Sequence, residues 1–156
     1  AAATESWNGT SWTTVASLNT GRAVGSSAGI QTAGITFGGT VPPFPAATES
    51  WNGSSWTTVN SMNTARRWIS GAGTQTTAIG AGGYNGTAVN STESWNGTSW
   101  TNLPNITTAR YGAAPAGTQS LALIGGGFPP TGSAVNTTEE WTGETETAVA
   151  KSITTS

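Results

Sequence analysis

Thr4-Glu5-Ser6-Trp7-Asn8-Gly9 returns as Thr48-Glu49-Ser50-Trp51-Asn52-Gly53 and as Thr92-Glu93-Ser94-Trp95-Asn96-Gly97. It returns once more, altered, as Thr138-Glu139-Glu140-Trp141-Thr142-Gly143. The leading tryptophans are spaced by 44, 44 and 46 residues. A fixed period of this length marks stacked supersecondary units, each unable to bury its apolar face alone. A second Trp follows five residues later in three copies, as Trp12, Trp56 and Trp100. The rest of the unit keeps the same register. Arg22, Arg66 and Arg110 stand fifteen residues after the leading Trp, and Gln31, Gln75 and Gln119 hold matching places further on. An apolar run then ends in a glycine pair: Gly38-Gly39, Gly82-Gly83 and Gly126-Gly127.

Asn8-Gly9 separates two strand-like runs, Ala3–Trp7 and Ser11–Leu18. Asn-Gly between such runs is a strong hairpin signal, because both residues tolerate positive φ. An Asn-Gly-Thr-Ser loop sets Trp7 opposite Trp12 as a cross-strand aromatic pair. The hairpin recurs at Ala46–Met62 and Val89–Leu103. Between hairpins lie runs of small residues, Arg22–Ile30, Arg66–Gly73 and Arg110–Gly117, suited to close approach of neighbouring strands. Short apolar strands follow at Thr32–Phe37, Thr76–Ala81 and Ser120–Ile124, and then loops that differ between copies: Thr40–Pro45, Tyr84–Ala88 and Phe128–Ser133. No stretch has a 3.6-residue period, so an all-β chain of four-stranded antiparallel units is expected.

Composition narrows the function. Only 8% of the 156 residues are charged and the net charge is −2, which gives no footprint for nucleic acid or an anionic membrane. No apolar run approaches the roughly 20 residues of a membrane helix. There is no Cys, so disulfides and thiolate metal sites are out. The sequence begins Ala1-Ala2-Ala3 and reads as a processed chain or a piece of a longer one. His and Asp are absent as well, which removes Ser-His-Asp and Cys-His nucleophiles and His-based metal sites.

The order of elements is a small-residue strand after Arg, an apolar strand ending in Gly-Gly, a strand carrying Glu-Ser-Trp, and a strand opening with Trp. This order resembles the kelch-type β-propeller repeat along essentially the whole chain. The resemblance implies propeller blades, about three and a half in this chain. The near-identical Thr-Glu-Ser-Trp-Asn-Gly-Thr-Ser-Trp repeats also resemble those of tail-associated proteins of environmental bacteriophages. That second resemblance implies a virion or extracellular surface location. Ser6–Trp12 is similar to the Asp-box turn of sialidase blades with Asn8 in place of Asp, and such boxes are structural turns.

Blade phasing from Arg22 divides one propeller domain into an N-terminal outer hairpin, 1–21, and blades at 22–65, 66–109 and 110–156, the last ending in a degenerate cap. Propellers hold about four to eight blades. The ring is therefore expected to close through a homo-oligomer, a dimer first, or through a longer parent chain. In the dimer the hairpin of one copy completes the last inner strand pair of the other and displaces its tail, 138–156.

The repeated Trp7, Trp12, Trp51, Trp56, Trp95 and Trp100 are assigned to blade packing. Glu5, Glu49 and Glu93 are expected to pair with Arg22, Arg66 and Arg110 within or between blades. Glu139, Glu140, Glu144 and Glu146 crowd the last unit, either as oxygen ligands for a hard cation such as Ca²⁺ or, the favoured reading, as a solvated acidic face that caps the array. The non-repeated aromatics Trp68, Tyr84, Tyr111 and Phe128 are the ligand-binding candidates, because rings on variable loops can stack on sugars. Seven Asn-X-Ser/Thr sequons occur, at Asn8, Asn52, Asn85, Asn90, Asn96, Asn105 and Asn136; turn chemistry alone explains the three in the hairpins. The expected function is a non-catalytic structural and binding module that contacts cell-surface glycans, with no catalytic residue, metal or cofactor. The alternatives are a polysaccharide-acting enzyme, a glycosidase or lyase, and a purely architectural protein.

Overall fold

The structure, a computed structural model, describes residues 1–40, 46–143 and 151–153, the last for backbone alone. The loop expected at 41–45, and Glu144 and Glu146 of the acidic group, lie outside the described residues. The described chain is all-β, as the missing helical period requires. A hairpin of β1 (Thr4–Trp7) and β2 (Trp12–Val15) comes first. Three four-stranded sheets follow: β3 (Ser26–Ile30), β4 (Ala33–Phe37), β5 (Thr48–Trp51) and β6 (Trp56–Val59); β7 (Ser70–Gly73), β8 (Ala78–Ala81), β9 (Thr92–Trp95) and β10 (Trp100–Leu103); β11 (Ala114–Gly117), β12 (Ala122–Gly125), β13 (Thr138–Trp141) and β14 (Lys151–Ile153). Each sheet runs in sequence order and every pairing is antiparallel. The innermost strands of successive sheets, β3, β7 and β11, lie beside one another.

The hairpins form as their sequence dictates. Trp7 faces Trp12, Trp51 faces Trp56 and Trp95 faces Trp100, with ring centroids 5.4, 5.2 and 5.5 Å apart. In each loop the Asn side chain accepts two backbone N–H groups; Asn8 Oδ1 takes those of Thr10 and Ser11 at 2.9 Å. The same geometry recurs at Asn52 and Asn96.

The Arg and Glu repeats meet, one unit later than their order suggests. Arg22 pairs with Glu49 at 2.6 Å, Arg66 with Glu93, and Arg110 with Glu139 at 2.9 Å. All six side chains are buried. Each carboxylate also accepts two backbone N–H groups from the connector entering its sheet: Asn19 and Thr20 on Glu49, Asn63 and Thr64 on Glu93, Thr107 and Thr108 on Glu139. Each Arg also donates to backbone carbonyls, always including that of the first glycine of the pair: Gly38, Gly82 or Gly126. The ionic groups are therefore dry and bonded at nearly every donor, the Arg22 Nε being the one buried guanidinium nitrogen of the three arginines left without a partner; a buried pair so satisfied orders a fold. Burial pulls the Arg66 guanidinium below its ordinary range, and the Glu93 hydrogen bond and charge oppose this. Two expectations are corrected. Glu5 is exposed and, among the described residues of its own chain, forms no ion pair, because the Arg that reaches each Glu belongs to the same sheet and precedes it in sequence. Glu139 belongs to a buried clamp and not to a solvated acidic face.

Neighbouring units are joined by the other repeated residues. Gln31, Gln75 and Gln119 reach back to the carbonyls of Trp7, Trp51 and Trp95 in the preceding unit. The second Trp does the same: Trp56 Nε1 donates to Thr4 Oγ1 and Trp100 Nε1 to Thr48 Oγ1, each across 52 residues. The second glycine of the first two pairs donates to the next unit's Arg carbonyl, Gly39 to Arg66 and Gly83 to Arg110. A Cβ on Gly38 or Gly82 would sit 2.5 Å from that carbonyl oxygen, so the joint requires glycine. The main apolar cluster fills the seam between the first two sheets: Ile35, Phe37, Met62, Ile69, Ala78, Trp95 and Trp100.

Trp51 and Trp95 are buried as expected, but Trp7 and Trp12 are 43% and 64% exposed. The hairpin that carries them has no inner strands of its own, so the two rings cover each other but are left partly open.

Candidate functional site

The clamped arginines fix the start of every inner connector, and the residues just after them line up from unit to unit. Ala23 bridges Thr40, Arg67 bridges Tyr84 and Tyr111 bridges Phe128, at equivalent places in three units. The last two are held by reciprocal backbone bonds of 2.8–3.1 Å. The next residue in each connector is left-handed: Val24 at φ 49°, Trp68 at 52° and Gly112 at 64°. That conformation is natural for Gly112 and strained for the other two, above all for β-branched Val24. It is fixed by a relay of backbone bonds across the units, Trp68 N–H to the Val24 carbonyl at 2.9 Å and Gly112 N–H to the Trp68 carbonyl at 3.0 Å.

On this repeated backbone the side chains are not repeated, and the structure brings together all four candidate aromatics. Trp68 stacks on Tyr111 at 5.2 Å and 26°, and Tyr111 stacks on Phe128 at 5.6 Å and 25°. Tyr84 meets Trp68 and Tyr111 edge-on at 5.7 and 5.3 Å. Both arrangements suit the ring quadrupoles. The Arg67 guanidinium caps the ladder, 3.9 Å from the centre of Trp68 and 5.0 Å from that of Tyr84, a cation–π contact at each. Trp68, Tyr84 and Tyr111 are half-buried, while Phe128 at the far end is 40% exposed. The faces of the middle rings are taken by their neighbours, so Phe128 presents the open end of a rigid stack.

Sequence reasoning missed Arg67 as a member of this group. The doublet Arg66-Arg67 was the available signal, since the other units have Ala23 and Tyr111 at that place. The carboxylates Glu49, Glu93 and Glu139 lie in the clamps, where structural donors occupy their oxygens. Among the described residues no group of His, Cys, Asp or Glu is placed to hold a metal ion. No model of a known protein family matches the sequence, and no curated protein does.

Proposed function

We propose that this chain is a non-catalytic structural and binding module, its sheets serving as kelch-like propeller blades that present loops to glycans. The observation that carries the reading is the aromatic ladder. Four rings absent from the repeat pattern converge on one side of a repeated scaffold and are braced by backbone bonds at both bridges. A repeat array needs no such rings for stacking; its own tryptophans do that work. An exposed ring at the end of a rigid stack suits the apolar face of a sugar, and preorganisation lowers the cost of binding. Placement on a phage tail fibre or another extracellular appendage is supported by the likeness of the Thr-Glu-Ser-Trp-Asn-Gly repeats to tail-associated phage proteins.

A glycan array probed with the full chain tests this. Binding is expected, with Phe128→Ala weakening it about tenfold, the equivalent of about 1.4 kcal/mol. No reducing ends should be released from any polysaccharide bound. Binding indifferent to Phe128, or chain cleavage abolished by one Glu→Gln change, refutes the reading.

A further inference from the structure

The bonds between units follow a strict register, and at two places that register is interrupted. Trp56 donates to Thr4 and Trp100 to Thr48. The next threonine in the series is Thr92. Its Oγ1 has no hydrogen-bond partner although the residue is 2% exposed. Thr92 lines a cavity of about 80 Å³ between the second and third four-stranded sheets. Ile79, Ala81, Ile106, Ala122 and Trp141 line it too, and they are the counterparts of Ile35, Phe37, Met62, Ala78 and Trp95. In the first seam those counterparts surround Trp100, with Phe37 4.8 Å from its ring. The cavity is therefore shaped for a second-position Trp, and this unit carries Glu at both places, 144 and 146, where the repeat would put one.

The other interruption lies at the opposite end. An opening of about 300 Å³ flanks the N-terminal hairpin, lined by Thr4, Ser6, Ala28, Ile30 and Ile35 among others. In later units the inner strands of one sheet sit beside those of the next, as β7 does against β3. The hairpin has no inner strands to place there. It does carry an unused second Trp, the exposed Trp12.

We infer that two copies of this chain close on each other, the β1–β2 hairpin of one replacing β13 and β14 of its partner beside β12. This rests on the blade reading of the sheets, but not on what the aromatic ladder binds. The exchange is like for like along the strand. Thr4, Glu5 and Trp7 take the places of Thr138, Glu139 and Trp141, so that Glu5 meets an Arg110 and keeps its clamp filled. What changes is Trp12, which enters the cavity and donates to Thr92. The inner pair β11–β12 then covers the opening beside the hairpin, and Leu123, 43% exposed here, is buried as Ile35 and Ile79 already are. The contact is reciprocal, and two copies complete a closed set of six blades, inside the usual range for propellers.

Two measurements test this on the full chain. In native mass spectrometry the wild type should have twice the 15.7 kDa chain mass; a stable monomer, or a larger assembly, overturns the pairing. Register is tested with single cysteines in a chain that has none. Position 123 faces residue 140 across β12 and β13, so it should face residue 6 in the exchanged pair. Mixed Ser6→Cys and Leu123→Cys chains should oxidise mainly to the mixed disulfide; unlinked chains or a random mixture overturn the contact. If a cysteine variant misfolds, paired carboxylate changes decide. Exchange predicts that Glu5→Gln lowers the melting temperature by several degrees while Glu139→Gln leaves it almost unchanged. The reverse order, or equal shifts, overturns the exchange while leaving the blade and ligand readings intact.

Discussion

Glu93→Gln removes one charge from the best-enclosed clamp and leaves the shape nearly unchanged. Glu93 and Arg66 are each fully buried. The carboxylate accepts the Arg66 guanidinium together with the backbone N–H groups of Asn63, at 2.7 Å, and Thr64, at 3.2 Å. The amide offers one oxygen in place of two, and its NH₂ faces donors. Arg66 keeps its bonds to the carbonyls of Gly82 and Gly80 but loses its counter-charge. Burial already pulls the guanidinium below its ordinary range, and without Glu93 nothing offsets that pull. Breaking a buried pair by removing one partner costs about 3–5 kcal/mol, with each stranded N–H adding to it. For a chain of this size that is a drop in melting temperature of roughly 6–20 °C. Glu140→Gln is the control, since Glu140 belongs to no clamp and should move stability by less than about 0.5 kcal/mol. Thermal unfolding followed by tryptophan fluorescence measures both. A loss under about 1 kcal/mol for Glu93→Gln would mean that the clamp is wet or replaceable, and the account of how connectors are tied to sheets would fail.

Other outcomes follow from the same geometry. Trp95→Ala, which empties a 1%-exposed core position and deletes the Nε1 bond to the Gln75 carbonyl, should cost about 3–5 kcal/mol in chemical denaturation. Val24→Gly should raise stability by up to about 1 kcal/mol, because relief of left-handed strain exceeds the added freedom of the unfolded chain; destabilisation would show that φ 49° carries no strain. Gly82→Ala should cost about 2–4 kcal/mol, since its Cβ would sit 2.5 Å from the Arg110 carbonyl oxygen and push the next unit away; a neutral result would mean that the joint yields.

The hairpins were legible because their determinants are local. Asn8-Gly9 and its copies set the loop, and β pairing carries the Trp residues to opposite positions. The succession of antiparallel strands was legible because the same order of strand types recurs with each period. The Arg–Glu partnership was legible as a coincidence of repeats, but its direction was not. Glu49 lies 27 residues after Arg22 along the chain, and only the folded sheet decides whether an Arg reaches the Glu behind it or the one ahead. Repeated sequence also concealed unequal environments. Trp7 and Trp95 stand in the same hexapeptide, yet one is 43% and the other 1% exposed, because burial is supplied by the inner strands of the sheet and by the preceding unit, both of which the N-terminal hairpin lacks. The aromatic candidates were visible as exceptions to the repeat. That Trp68, Tyr84, Tyr111 and Phe128 form one ladder, with Arg67 over its end, was decided by tertiary structure alone. Their places come from four different connections, brought together by backbone bonds between units that no local pattern encodes.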